Sequence, residues 1–334
     1  MGGWAACIRA AGTSAAVALA AAGGAGPAAA QTAFGFWLDN DLFAGTDRYY
    51  TNGVQVYYIS DALPTLGVMD WLADRLVHPG EPAARRYGFA LGQAMYAPQD
   101  LTRRELITDD RPYAGWLYGR LSLLSTTPRA VDRIDLDVGI VGPASLAEPT
   151  QKLVHRVVPD ATRPMGWHNQ LRNEPGVILS YEHVWRDPAP VSIGPLSLDI
   201  APHAAGSLGN VLTFAGTGFT MRLGQNMPAP LGSLVTRPTA AIPFHEGAHP
   251  APYSWYVYAA TEVRAVARNI FLDGNTFVSS HSVDRNTLVG SLQIGVSARW
   301  GEVGISYAHS FITPEFRGQD GVTSYGSLRL SMLF

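Results

Sequence analysis

The chain has 334 residues, 47% hydrophobic and only 15% charged, with 24 Lys and Arg set against 27 Asp and Glu. That near balance offers no basic field for nucleic acid, so a nucleic-acid partner is excluded. No apolar run after residue 30 reaches the roughly eighteen residues that a membrane-spanning helix needs.

Residues 1–30 carry one positive charge at Arg9, then the small apolar AAVALAAAGG, then AGPAAA ahead of Gln31. This is the three-part pattern of an export signal. The expected organisation is a signal peptide over 1–30 and one exported body over 31–334. The single cysteine, Cys7, falls within the signal. The body therefore has no disulfide, no thiolate nucleophile and no Cys-ligated metal.

From residue 33 onward the hydrophobic period is two. RIDLDVGIVG sets Ile134, Leu136, Val138 and Ile140 against Arg133, Asp135, Asp137 and Gly139. SLQIGVSARW and the terminal YGSLRLSMLF repeat the alternation, which marks strands with one apolar and one polar face. Twelve strands are predicted: 33–40, 53–60, 86–95, 115–125, 132–142, 174–186, 192–204, 210–222, 253–269, 286–299, 302–312 and 323–334. Many have the ten or so residues of a tilted membrane span, and aromatics gather towards strand ends, as at Trp116/Tyr118 and Trp255/Tyr256/Tyr258.

The expected fold is all-β, a twelve-stranded transmembrane antiparallel barrel with the apolar face towards lipid and the polar face towards the lumen. Gly119, Gly139 and Gly295 are expected on the lumen face. With the N-terminus periplasmic, connections at 41–52, 96–114, 143–173, 205–209, 270–285 and 313–322 emerge outside. The stretch 223–252, rich in Pro and Gly, breaks the rule of short periplasmic turns and reads as a wandering loop.

Three polar clusters fall at the outer end. The first is FWLDNDLFAGTDRYYTNG, where Asn40, Asp41 and Thr51 supply oxygens suited to a hard cation such as calcium. Asx-turns and caps at strand ends are the competing reading. The second is the loop 96–114, carrying Arg103, Arg104 and Arg111, which can pair with phosphate bidentately or remain solvated. The third holds a short helix over about 146–157 with His155. An imidazole there serves as a general base or as a packing histidine. His168, beside Trp167, reads as structural, and His203, His245 and His249 have no zinc spacing. A serine triad has no GxSxG to support it.

The stretches DNDLF…TDRYYTNG, DDRPYAGWLY, QKLVH…GWHNQLRNEPG, HAAGSLGNV, LDGNTF…SHSVD and PEFRGQD…YGSLRLSMLF together resemble the lipid A 3′-O-deacylase family of Gram-negative outer membranes. The resemblance covers essentially all of 31–334. It implies a calcium-dependent hydrolase that removes the 3′-linked acyloxyacyl chain of lipid A in the outer leaflet. It places the catalytic histidine at His155, an Asn-Asp pair at Asn40 and Asp41, and a partner hydroxyl at Thr51. Some relatives have a helper glutamate six residues after the histidine, where this chain has Ala161, with Asp160 as a candidate substitute. The expected partners are lipid A or lipopolysaccharide and outer-membrane lipid, and the expected state is a monomer. An outer-membrane phospholipase and a small porin or structural barrel are the alternatives.

Overall fold

In the computed structural model of the chain the two-residue period becomes a closed cylinder. The structure describes residues 32–45, 48–60, 84–157, 162–186, 190–235 and 251–334. The expected signal, Asp160, Ala161, His245 and His249 lie outside them.

The strands are β1 (Ala33–Asn40), β2 (Tyr49–Ser60), β3 (Ala84–Ala97), β4 (Ala114–Thr126), β5 (Ala130–Val141), β6 (Glu174–Trp185), β7 (Val191–Ile193), β8 (Leu196–Gly209), β9 (Leu212–Gln225), β10 (Tyr253–Asn269), β11 (Leu288–Trp300), β12 (Val303–Ile312) and β13 (Thr323–Leu333). Each pairs antiparallel with its neighbours. β13 returns to β1, and β6 pairs with β8, so twelve strands close the wall. The three-residue β7 pairs with β8 in a hairpin and takes no part in closure. Closure removes the unpaired edges that an open sheet would present. Helix α1 (Ala147–Val157) lies in the connection between β5 and β6, and a single helical turn, α2 (Ile270–Asp273), follows β10.

Two predicted strands shift. In place of 192–204 and 210–222 the chain runs as Leu196–Gly209 and Leu212–Gln225. The expected outer connection 205–209 is strand, and a two-residue turn at Asn210–Val211 replaces it. Asn210 fixes that turn by donating from Nδ2 to Glu174 Oε1 at 3.0 Å and to the Pro175 carbonyl at 2.8 Å.

The faces sort as the alternation demands. Val138 is 54% exposed on the outer wall while Asp137, its neighbour, is fully buried. Gly119 corrects the lumen expectation: it is exposed on the outer wall between the buried Tyr118 and Arg120. Gly295 does face inward, where a Cβ would meet the Tyr258 ring at 2.5 Å. The missing side chain there makes room for a ring rather than for water.

The lumen is filled. Arg120 donates from Nε and Nη2 to Asp137 at 2.5 and 2.7 Å, and Arg133 bridges Asp135 at 3.3 Å and Glu182 at 3.0 Å. His203 meets Glu262 at 3.2 Å with both fully buried. Residues expected to wander, 228–235, instead re-enter the barrel at the end that holds both termini. Leu231 joins Ala33, Tyr57, Ile59 and Val184 in an apolar cluster. Val235 packs with Tyr258, Ala260 and Ala308. Ser233 donates its N–H and hydroxyl to the two Glu182 oxygens at 2.9 and 2.6 Å. The re-entry is driven by those buried partners, which a local reading of Pro and Gly content cannot see.

Candidate functional site

The end of the barrel opposite the termini carries all the predicted site residues. At β1 the outward-facing Asn40 caps a 3-10 turn, Asp41–Ala44, with its Oδ1 accepting the Leu42 N–H at 2.9 Å. This is the cap expected of Asn at a strand-to-turn junction. The bond occupies the carbonyl side of the amide and leaves the NH2 group pointed away from the cap. Asp41, 1% exposed, accepts the Arg48 N–H on Oδ2 at 2.7 Å. Phe43 pins the turn edge-on against Tyr307, with ring centroids 6.3 Å apart.

β2 begins earlier than predicted, so Thr51 sits inside the strand. There the register with β3 slips between Tyr50 and Asn52, the mark of a bulge, which re-aims side chains next to functional sites. Tyr49, just before it, has a left-handed φ of 70°. Its hydroxyl is held by Gln99 at 3.1 Å and by the Asp320 N–H at 3.1 Å. A bulky residue in that region is strained and persists only when its surroundings fix it. Thr51 is buried and donates its hydroxyl to the Met95 carbonyl at 3.4 Å.

Met95 connects this corner to the helix. It is fully buried, although it faces the outer side of the wall, because it packs with Leu101, Tyr113, Ala147 and Trp167. Helix α1 lies close because β4 offers Gly115: a Cβ there would stand 2.1 Å from Ser145 Oγ and 2.3 Å from Ala147 Cβ. Ala147 and Gln151 are 1% and 2% exposed, and Gln151 Oε1 accepts the Trp167 indole N–H at 2.6 Å. His155 is the next residue at a spacing of four, so it shares that wall-facing side. It is half-buried, and its Nδ1 meets the Thr162 carbonyl at 2.5 Å. A carbonyl can only accept, so Nδ1 carries the proton and Nε2 is the basic nitrogen.

The arginine loop is sewn to the segment that follows His155. Met165 N–H donates to the Leu101 carbonyl at 2.8 Å, Asn169 Nδ2 to the Arg104 carbonyl at 2.8 Å, and Leu171 N–H to the Tyr113 carbonyl at 2.9 Å. Arg103 and Arg104 are exposed on it, as is His168 on the partner segment. Arg111 is different and corrects the phosphate expectation. It is 1% exposed, ion-paired to Glu315 at 3.2 Å, with its guanidinium 4.8 Å from the Tyr96 ring centroid. Buried among these groups it braces the loop end of the lumen and presents nothing to a surface phosphate.

The fold therefore places Asn40, Asp41 and Thr51 on adjoining backbone, joins Thr51 to α1 through Met95, and ties Arg103 and Arg104 to the His155 loop. Met95, Gly115, Gln151 and Trp167 support the arrangement and went unrecognised in the sequence. Only the GWHNQ stretch after the helix hinted at them. Among the described residues no group of three His, Cys, Asp or Glu side chains converges on a metal-sized point.

One result follows directly from the close approach at β4. Gly115→Ala should push α1 off the wall, destabilising the loop by about 1–3 kcal/mol through overpacking. Faster protease nicking within 142–173, in a barrel that still closes, is the expected reading. Unchanged protection would show that α1 does not depend on this contact.

A family model described as outer membrane protein LpxR matches residues 8–334. The chain belongs to the LpxR family. The solved structure of LpxR from Salmonella typhimurium superposes with a TM-score of 0.74 at 20% identity, covering 90% of this chain and 100% of that one. That likeness shows the same twelve-stranded outer-membrane barrel with its short helix. The β domain of the Bordetella autotransporter BrkA is more distant, with a TM-score of 0.44 and 9% identity over 91% of this chain and 98% of that one. No curated protein matches the chain.

Proposed function

We propose that the protein is a lipid A 3′-O-deacylase of the outer membrane, acting on the outer leaflet as a monomer. The observation that carries this reading is the position of the site. Met95 packs with Ala147 of α1 on the outer side of the wall, and Asn40 and Thr51 adjoin them at the ends of β1 and β2. A substrate reaches that face by sliding along the membrane plane, as a lipid does. The packed lumen, with its buried ion pairs and the re-entrant 228–235 segment, argues against a porin.

His155 would act as the general base. With Nδ1–H held by the Thr162 carbonyl, Nε2 accepts a proton from water, and that water attacks the ester carbonyl. The protonated imidazole can then return the proton to the departing 3′ hydroxyl of the sugar. Asn40, whose carbonyl oxygen is engaged by the cap, has its NH2 available to donate to the developing oxyanion. Thr51 holds the bulge in register and supplies a hydroxyl at the same corner. Arg103 and Arg104, exposed on the adjoining loop, would take lipid A phosphates by charge-assisted hydrogen bonds.

Calcium fits the donor chemistry. Asp41 offers a carboxylate, and hydroxyl and backbone oxygens supply the hard donors that Ca²⁺ prefers. With a single carboxylate in the set, the ion would rest mainly on neutral oxygens. When bound, it would contribute positive charge beside the ester carbonyl.

The deciding experiment is mass spectrometry of lipid A and of phospholipids from Gram-negative cells expressing the protein. Loss of the mass of one 3′ acyloxyacyl group, with the phospholipid pool unchanged, is expected. Chelation with EGTA should suppress the loss, and added calcium should restore it. Intact lipid A accompanied by lysophospholipids would replace this reading with the phospholipase one.

A further inference from the structure

Inside the barrel, at the end that holds the termini, lies a cavity of about 90 Å³. One water needs only about 10–15 Å³ measured this way, so the space holds several waters or one larger polar group. Among the described residues four arginines line it, Arg133, Arg222, Arg299 and Arg329, and no Asp or Glu does. Two of the four are neutralised on their far sides, Arg133 by Glu182 at 3.0 Å and Arg222 by Asp199 at 2.9 Å.

Among the described residues the other two have no ion-pair partner. Arg299 donates to the Gly301 and Ala251 carbonyls, at 2.7 and 3.0 Å. Arg329 stacks over Trp37 with its guanidinium carbon 4.0 Å from the ring centroid, and its Nε is buried without a hydrogen-bond partner. Asp39, the carboxylate two residues beyond Trp37, is taken up by the Trp37 indole N–H at 2.5 Å and the Tyr50 hydroxyl at 2.9 Å. The cavity is also rich in hydroxyls. Ser306 donates to Ser297 at 2.8 Å, while Thr220, 2% exposed, has a buried hydroxyl with no partner among the described residues. Neither Arg299 nor Arg329 has an ion-pair partner within reach among the described residues, Asp39 acting on Arg329 only at longer range, so this half-buried polar space carries net positive charge.

We propose that this cavity binds a small oxyanion of the phosphate class. Arg329 and Arg299 would supply the charge, and Thr220, Ser297 and Ser306 the hydroxyl partners. Guanidinium groups match such oxyanions with paired hydrogen bonds. Bound there, the anion would tie β9, β11, β12 and β13 together beside the re-entrant 228–235 segment. The same chemistry could come from free phosphate or from a phospholipid headgroup entering by the terminal mouth.

The test uses the exported form of the full chain in detergent, with inorganic phosphate and glycerol 3-phosphate as probes, against chloride at matched ionic strength. Calorimetry should show one saturable site for phosphate, and the unfolding midpoint should rise with phosphate concentration by mass action. Equal binding of glycerol 3-phosphate identifies the headgroup as the source, and its exclusion identifies the free ion. Arg329→Gln should weaken phosphate binding about tenfold or more, the usual scale for losing a charged hydrogen-bond donor. Thr220→Val keeps the shape and should weaken it by a smaller factor, which keeps the question open to measurement if Arg329→Gln does not fold. A midpoint that follows ionic strength alone, or undiminished binding in both variants, overturns the site and leaves an adventitious ion or water in the cavity.

Discussion

His155→Ala is expected to slow release of the 3′ acyl chain by about 10²- to 10⁴-fold, the scale of a lost general base. The substitution removes a half-buried imidazole at the wall-facing side of α1 whose Nδ1 is fixed by a backbone carbonyl. The supports of the helix, Ala147 on Met95 and Gln151 on Trp167, lie two turns and one turn earlier and remain in place. The barrel should therefore insert and migrate on gels as the closed form, separating a catalytic loss from a folding loss. Because His155 is only half-buried, added imidazole should recover part of the rate in the alanine variant. Release at the parental rate would remove His155 from the mechanism and return it to the packing role.

The second large effect concerns the lumen. Arg120→Leu should destabilise the barrel by about 3–5 kcal/mol, because it strands buried carboxylates without their cation. Arg120 is 4% exposed and Asp137 is fully buried, with Asp135 also within 3.8 Å of the guanidinium. Pairing Arg120→Leu with Asp137→Leu should recover much of the loss, since apolar groups of similar volume often replace a buried ion pair at little net change. Urea titration of detergent-solubilised protein reads both. If the single variant unfolds at the parental midpoint, the lumen pair is not strongly desolvated and the barrel is wetter than its packing indicates.

The barrel itself was legible because lipid and lumen impose opposite polarity on successive residues, as Val138 and Asp137 show. Boundaries blurred at β8 and β9. Gly206 and Gly209 lie within β8, so the connection expected at 205–209 is strand. The short helix was also legible, expected over about 146–157 and found at Ala147–Val157. Arg111 was not legible. Its burial is decided by Glu315, two hundred residues away in sequence, whereas Arg103 and Arg104 in the same loop stay exposed. The support beneath α1 was hidden for the same reason, since Met95, Gly115 and Trp167 meet only once the wall has closed. The 228–235 segment is the clearest case: its partners Glu182, Tyr258 and Ala308 lie on three different strands.

That re-entrant segment also bears on the cell as an electrical object. Leu231 and Val235 close the terminal end of a cylinder whose middle is already occupied by ion pairs. The expected electrical signature is therefore that of a plug: in planar bilayers the inserted protein should add little conductance to that of the lipid alone.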